Sequence, residues 1–242
     1  MKLNILDFEI DTSINQLDVN SKSLLVNTIN PHSYCVTKKD ALFKEALQNS
    51  DILIPDGIGI VWAIRFLTGQ RIQRITGADM HAYLLNQLNQ KGGKVFYLGS
   101  MQYTLDAIAA KIKNEFPNIK FEAYSPPYKT DFSEEENQLM IKEINRFSPD
   151  VLFVGMTAPK QEKWAYRHKE KIDANIIASV GAVFDFFSGS KKRSSQFWID
   201  IGFEWVPRFF REPKRIWRRV IVSIPEFIWD VFKEKIINKK NE

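Results

Sequence analysis

The chain has 242 residues, 44% of them hydrophobic, and a net charge of +5. This size and composition fit one sizeable α/β domain with a real core and room for a smaller appendage. They exclude an intrachain disulfide, because Cys35 is the single cysteine, and a membrane-spanning helix, because no window approaches the ~18 uninterrupted apolar residues that one needs.

The segment Met1–Ile10 carries acidic side chains and no long apolar run, so it does not read as a signal peptide. With the lone cysteine, this points to the cytoplasm. Thr37 lies near the end of Tyr34-Cys35-Val36-Thr37, where a hydroxyl can reach a ligand. Asp56 stands directly after the short apolar run Ile52–Pro55 and before Gly57 and Gly59. A carboxylate at a strand end beside a glycine-rich turn can act as a general base. The plainer role is a helix N-cap or a turn aspartate. Residues 60–67 read as a helix with Gly69 near its end, and Arg74-Ile75-Thr76-Gly77-Ala78-Asp79 follows. Arg74 can hold a phosphate or carboxylate, and Thr76 or Asp79 can cap a helix over 80–88.

Three apolar runs then end in glycine: 94–98 before Gly99, 150–154 before Gly155, and 175–180 before Gly181. Helical patterns over 105–116, 134–147 and 159–171 separate them, and a short strand is expected at 119–123. Strands alternating with helices imply a parallel sheet with right-handed crossovers. The expected class is therefore α/β, a Rossmann-like core with a mainly parallel sheet flanked by helices. Glycines at strand ends let backbone approach a ligand closely. After Gly155 comes Pro159-Lys160-Gln161-Glu162, in the first turn of a helix, where free N–H groups favour anions.

Residues 188–195 are small, polar and charged, the nearest thing to a linker. The reading divides the chain into a core, 1–195, and a basic, amphipathic helical appendage, 196–242. Residues 191–242 carry 13 Lys/Arg and 7 Asp/Glu, whereas the first 190 are nearly neutral. Arg208, Arg211, Arg215 and Arg218 form one ridge on a continuous helix. Pro225 is expected to end or kink that helix, and Phe227, Ile228, Val231, Phe232 and Ile236 resume helical spacing. Aromatic, basic amphipathic helices suit an anionic membrane surface; packing on the core is the plainer alternative. Nucleic acid is ranked low, since the rest of the chain carries no basic excess.

The three histidines show no metal-ligand spacing, and H-E-x-x-H, C-x-x-C, P-loop and G-x-S-x-G patterns are all absent. So is the Asp-x-Asp of many sugar-nucleotide transferases. No metal or cofactor is expected.

Taken together, Pro55-Asp56-Gly57, Arg74-Ile75-Thr76-Gly77, Pro159-Lys160-Gln161-Glu162, and Phe203-Glu204-Trp205 with Arg208 and Glu212-Pro213-x-Arg215 resemble the WecG/TagA/CpsF family, glycosyltransferase family 26. The resemblance runs from about Asn27 to Arg219. It implies a metal-independent, inverting transferase on a Rossmann-like fold. Such enzymes move an N-acetylmannosamine-type sugar from a UDP donor to an amino-sugar on a polyprenyl diphosphate, at the cytoplasmic face of the membrane. The products feed teichoic acid or other surface polysaccharides. Asp56 matches the family's proposed catalytic base. Thr37, Arg74 and Gln161 match substrate-binding or catalytic positions, and Arg208, Arg215 and Arg218 match appendage arginines that neutralise a diphosphate. Lys160, Gly155 and Gly181 complete the expected substrate-binding set.

The family often has Thr-x-Asn where this chain has Thr37-Lys38-Lys39, and Gly-Gly where it has Gly99-Ser100. These departures bear on sugar identity more than on reaction class. Two other readings stay open on sequence: a dinucleotide-dependent oxidoreductase and a non-enzymatic membrane or anion-binding module. Against the first, Gly57-Ile58-Gly59 lacks a third glycine and has Trp62 there, too bulky for close helix–strand packing. Homo-oligomer formation also stays open, because the tail's apolar faces suit a second copy as well as a bilayer.

Overall fold

Six parallel strands carry the architecture: β3 (Leu24–Ile29), β4 (Ile52–Pro55), β5 (Lys94–Gly99), β6 (Lys120–Tyr124), β7 (Val151–Gly155) and β8 (Ile176–Ser179). They lie in the order β4-β3-β8-β7-β5-β6. The computed structural model describes residues 1–191, 195, 198, 205–211, 213 and 217–241. A small antiparallel hairpin, β1 (Lys2–Ile5) and β2 (Phe8–Asp11), precedes the sheet.

The central strands are buried on both faces, so they read as unbroken apolar runs such as Val151-Leu152-Phe153-Val154. Alternate residues divide between two layers. Val95, Tyr97, Val151 and Phe153 pack under α4 (Gly77–Lys91), α5 (Gln102–Glu115) and α8 (Val183–Phe187). Phe96, Leu98, Leu152 and Val154 pack under α6 (Glu134–Phe147) and α7 (Lys160–His168). On that same side, Ile29 and Leu53 meet the hairpin together with α1 (Pro31–Thr37), α2 (Ala41–Gln48) and α3 (Ile58–Thr68).

The C-terminal part contributes α9 (Trp205–Arg211), a π-helical segment Arg218–Ser223, and α10 (Ile224–Asn241). Pro225 does not end a helix there. Helical turns continue on both sides of it, and the π-helical segment directly before α10 is the irregularity that stands where a kink was expected. Phe227 and Val231 of α10 join the hairpin and α3 in one core cluster, each adding about 1.5–3 kcal/mol of apolar burial. Polar ties reinforce this docking. His32 Nδ1 lies 2.8 Å from Ser223 Oγ, the Leu6 N–H donates to Glu234, and Lys38 bridges Glu226 and Asp230. Among the described residues, no helix is long and apolar enough to cross a membrane.

Candidate active site

The C-terminal strand ends form one rim, and the rim splits between β5 and β7. The helix after β5 lies on one face of the sheet and the helix after β7 on the other. A topological switch of this kind opens a crevice where α/β folds hold ligands. Gly99 is in register opposite Gly155 across it. Gly99 has φ +112°, and a Cβ there would stand 2.5 Å from the Gly155 carbonyl oxygen. At Gly155 a Cβ would overlap the Phe184 ring at 2.4 Å. Both positions therefore require glycine on packing grounds alone, whatever ligand they approach. Ser100 adopts φ +64°, a left-handed conformation that favours glycine.

Gln161 joins two of the rim turns. Its Oε1 accepts the Met156 N–H at 3.2 Å and the Gly181 N–H at 3.1 Å. Its Nε2 donates to Glu162 Oε1 at 2.8 Å. Gln161 and Glu162 are both buried, and burial pushes the Glu162 carboxyl up to about 7. Pro159 is the N-cap of α7, and the Ala158–Pro159 peptide is cis. Lys160 does not turn toward the crevice. Its ammonium donates to the Lys129 carbonyl and lies 3.5 Å from the Phe132 ring centroid, pinning the loop between β6 and α6. Burial also draws its pKa below the usual lysine value.

Asp56 follows the last residue of β4, and its N–H donates to the Ile29 carbonyl, continuing the ladder with β3. The N-cap of α3 is Gly57, at φ +103°, with no side-chain cap bond. Asp56 therefore stands one residue before the N-cap position of α3. The Ile75 N–H donates to the Pro55 carbonyl at 3.3 Å, which lays the Arg74 segment along the end of β4. Arg74 lines a cleft of about 500 Å³ with Arg71, Asp79, Met1, Thr12 and Asn15. Thr76 and Asp79 make a reciprocal capping box at the start of α4, both expected cap residues acting together. A Cβ on Gly77 would lie 3.5 Å from the Val180 carbonyl oxygen. The start of α4 thus packs on the turn that holds Gly181. Asp56, Arg74, Gln161, Gly155 and Gly181 all belong to this end of the sheet.

Thr37 is elsewhere in its element. It closes α1, is buried, and its hydroxyl donates to the Tyr34 carbonyl at 2.6 Å. A Thr-x-Asn triplet does stand at a strand end: Thr28-Ile29-Asn30, at the C-terminus of β3. Thr28 is in register with Ile54, and the next step of the same register sets Asn30 beside Asp56. The Asn30 side chain accepts the His32 and Ser33 N–H groups and so starts α1. Sequence reasoning missed this triplet because it read no strand over residues 24–29. The apolar run before it, and Pro31 after Asn30, were the available signals.

The tail arginines fall partly outside the described residues. Arg208 belongs to α9. Arg218 opens the π-helical segment, exposed, with its guanidinium 5.6 Å from the Trp217 ring. Arg215 and the Phe203-Glu204 part of the expected motif lie outside the described residues. Contrary to the expectation from sequence, Trp62 does not crowd the sheet: it is 56% exposed, and α3 packs inward through Ile60, Ala63 and Ile64. The dinucleotide fingerprint is absent because the third glycine is missing, not because an indole blocks packing. Among the described residues, no group of three or more His, Cys, Asp or Glu side chains is arranged to hold a metal ion.

Residues 2–241 match the family model described as Glycosyl transferase WecG/TagA/CpsF family. A Bacillus subtilis relative named N-acetylglucosaminyldiphosphoundecaprenol N-acetyl-beta-D-mannosaminyltransferase is 35% identical over 89% of this chain and 81% of its own length. Proteins of the same name from Bacillus spizizenii and Staphylococcus aureus are each 28% identical over 99% of this chain. The alignments cover 92% and 95% of those proteins.

Proposed function

The chain belongs to the WecG/TagA/CpsF family of glycosyl transferases, and on that premise we propose that it transfers an N-acetylmannosaminyl residue from a UDP-sugar to a polyprenyl-diphosphate-linked N-acetylglucosamine. The acceptor and the sugar follow the names of the relatives. The observation that carries the reading is the shared rim: the Asp56 strand end, the Arg74 segment and the Gln161-held turns stand at one end of one parallel sheet.

Asp56 acts as the base. It takes the proton from the acceptor hydroxyl as that oxygen attacks the anomeric carbon of the donor. The bond from that carbon to the UDP oxygen breaks, and UDP leaves with the electron pair. A single displacement inverts the anomeric centre, so an α-linked donor gives the β linkage in the relatives' names. Arg74 and the arginines Arg208, Arg215 and Arg218 hold diphosphate oxygens through forked, charge-assisted hydrogen bonds. The turns at Gly155 and Gly181 admit the nucleotide, and Gln161 keeps them in place. Lys160 supports this site from outside, by fixing the loop that flanks it. No divalent ion enters the step. The chain works at the inner membrane surface, where its acceptor is anchored, and contributes to teichoic acid or related surface-polymer synthesis.

The test is UDP release from a panel of UDP-sugars, with and without a synthetic lipid-diphosphate N-acetylglucosamine, in EDTA. The expected result is acceptor-dependent release from UDP-N-acetylmannosamine, lost in Asp56→Asn with donor binding retained. Near-normal turnover in that variant would overturn the base assignment. Loss of all release in EDTA, restored by a divalent ion, would overturn metal independence.

A further inference from the structure

We infer that α3 of the catalytic core, together with α10, forms a single surface for docking on an anionic bilayer. This rests on the membrane-surface part of the reading above and extends it from the tail to the core. Trp62, Arg65 and Phe66 share the outer side of α3, and all three are exposed. On α10, Trp229, Phe232 and Ile236 are exposed at 63%, 51% and 57%. The two helices touch on this side, because the Phe66 and Phe232 rings meet edge to face at 5.1 Å. The apolar surface is therefore continuous across both elements.

The distribution of charge selects the occupant. The acidic residues of α10 face the protein and are bonded there: Glu226 and Asp230 to Lys38, and Glu234 to the Leu6 N–H. The cations are on the exposed side. Lys233 lies over the Trp229 ring, Lys235 lies over the Phe66 ring and also donates to the Leu67 carbonyl at 3.2 Å, tying α10 to the end of α3, and Arg65 and Lys239 are exposed. Aromatics and aliphatics flanked by lysine and arginine, with the acids turned away, match an anionic lipid headgroup layer over an acyl boundary. A second copy of this face would set like charges against each other. Because α3 begins right after Asp56-Gly57, docking through α3 holds the proposed base within one short helix of the headgroups.

The 242-residue chain can be pelleted with sucrose-loaded vesicles of phosphatidylglycerol and phosphatidylethanolamine, and with phosphatidylcholine vesicles as the neutral control. The comparison is between the wild type, Trp62→Ser/Phe66→Ser and Trp229→Ser/Ile236→Ser. Each pair is expected to lower partitioning into anionic vesicles by about tenfold or more, with an unchanged circular dichroism spectrum and weak binding to the neutral control. Wild-type partitioning by the α3 pair, with the α10 pair impaired, overturns the role of α3 and leaves the membrane reading intact. Absence of vesicle binding by the wild type overturns both. A changed sedimentation coefficient in the α3 pair, with unchanged partitioning, makes the face a contact between copies and overturns the inference.

Discussion

The side chain of Gln161 accepts the Gly181 N–H at 3.1 Å while also accepting that of Met156. One amide oxygen thus fixes the turns after two neighbouring strands. Replacing Gln161 by Ala leaves two rim N–H groups and the Glu162 carboxylate without this partner. An unsatisfied buried polar group costs about 1–3 kcal/mol. The expected result is a measurable loss of stability in urea and a raised donor KM. Unchanged donor affinity would mean the turns hold their shape without it.

Glu162 gives a pH dependence. Burial raises its folded pKa from the ordinary 4.5 to about 7. A carboxyl raised in this way favours the folded state fully below pH 4.5, and that contribution is lost as pH rises through 7. The loss is on the order of 3 kcal/mol in total. Glu162→Gln can still accept the Gln161 amide, and it removes the titration. Its unfolding free energy should vary less between pH 5.5 and 8 than that of the wild type, and should exceed it at pH 8. Parallel pH profiles for the two proteins would contradict the assignment.

Thr28 and Thr37 make a matched pair for testing which hydroxyl serves the chemistry. Thr28 stands at the end of β3, next to the strand that leads to Asp56, whereas Thr37 hydrogen-bonds inside its own helix. Thr28→Val should lower kcat by at least about tenfold with little change in unfolding midpoint, as expected of a hydroxyl lost from a site rather than from the core. Thr37→Val should leave kcat within about twofold of wild type. The reverse pattern would restore Thr37 to the site.

Gly99→Ala should fail in the fold before it fails in chemistry. The positive φ alone costs a side chain about 1–3 kcal/mol, and the approach to the Gly155 carbonyl at 2.5 Å adds a direct overlap. A lowered melting temperature and weakened UDP binding in calorimetry are expected together. A variant of wild-type stability would mean the turn relaxes freely.

Much of the core was legible because its strands are buried on both faces. Runs such as Val151–Val154 admit few alternatives when helical patterns flank them, and those before Gly99 and Gly155 end in a glycine that the packing requires. The first two core strands were harder to read. Asn27 and Thr28 interrupt the apolar run of β3 with polar side chains, so its end was not recognised and the Thr-x-Asn triplet was sought nine residues later. Lys160 was misleading for another reason. Its position at a helix start suits an anion, but the neighbouring loop supplies a carbonyl and an aromatic ring that occupy it. Such a tertiary partner leaves no mark in local sequence. The tail's helical spacing correctly paired Phe227 with Val231, yet spacing alone did not reveal that these two face the hairpin while Phe232 and Ile236 face out.

The hairpin has a consequence for solubility. β4 is the outermost strand of the sheet, and an outermost strand offers unpaired N–H groups to any passing chain. Here the buried Asp11 carboxylate accepts the Leu53 N–H at 3.0 Å, and β2 lies against β4. A side chain, rather than another strand, closes that edge. Removing β1 and β2 would therefore expose a template for intermolecular pairing in the strand that leads to Asp56, and aggregation would precede any loss of chemistry.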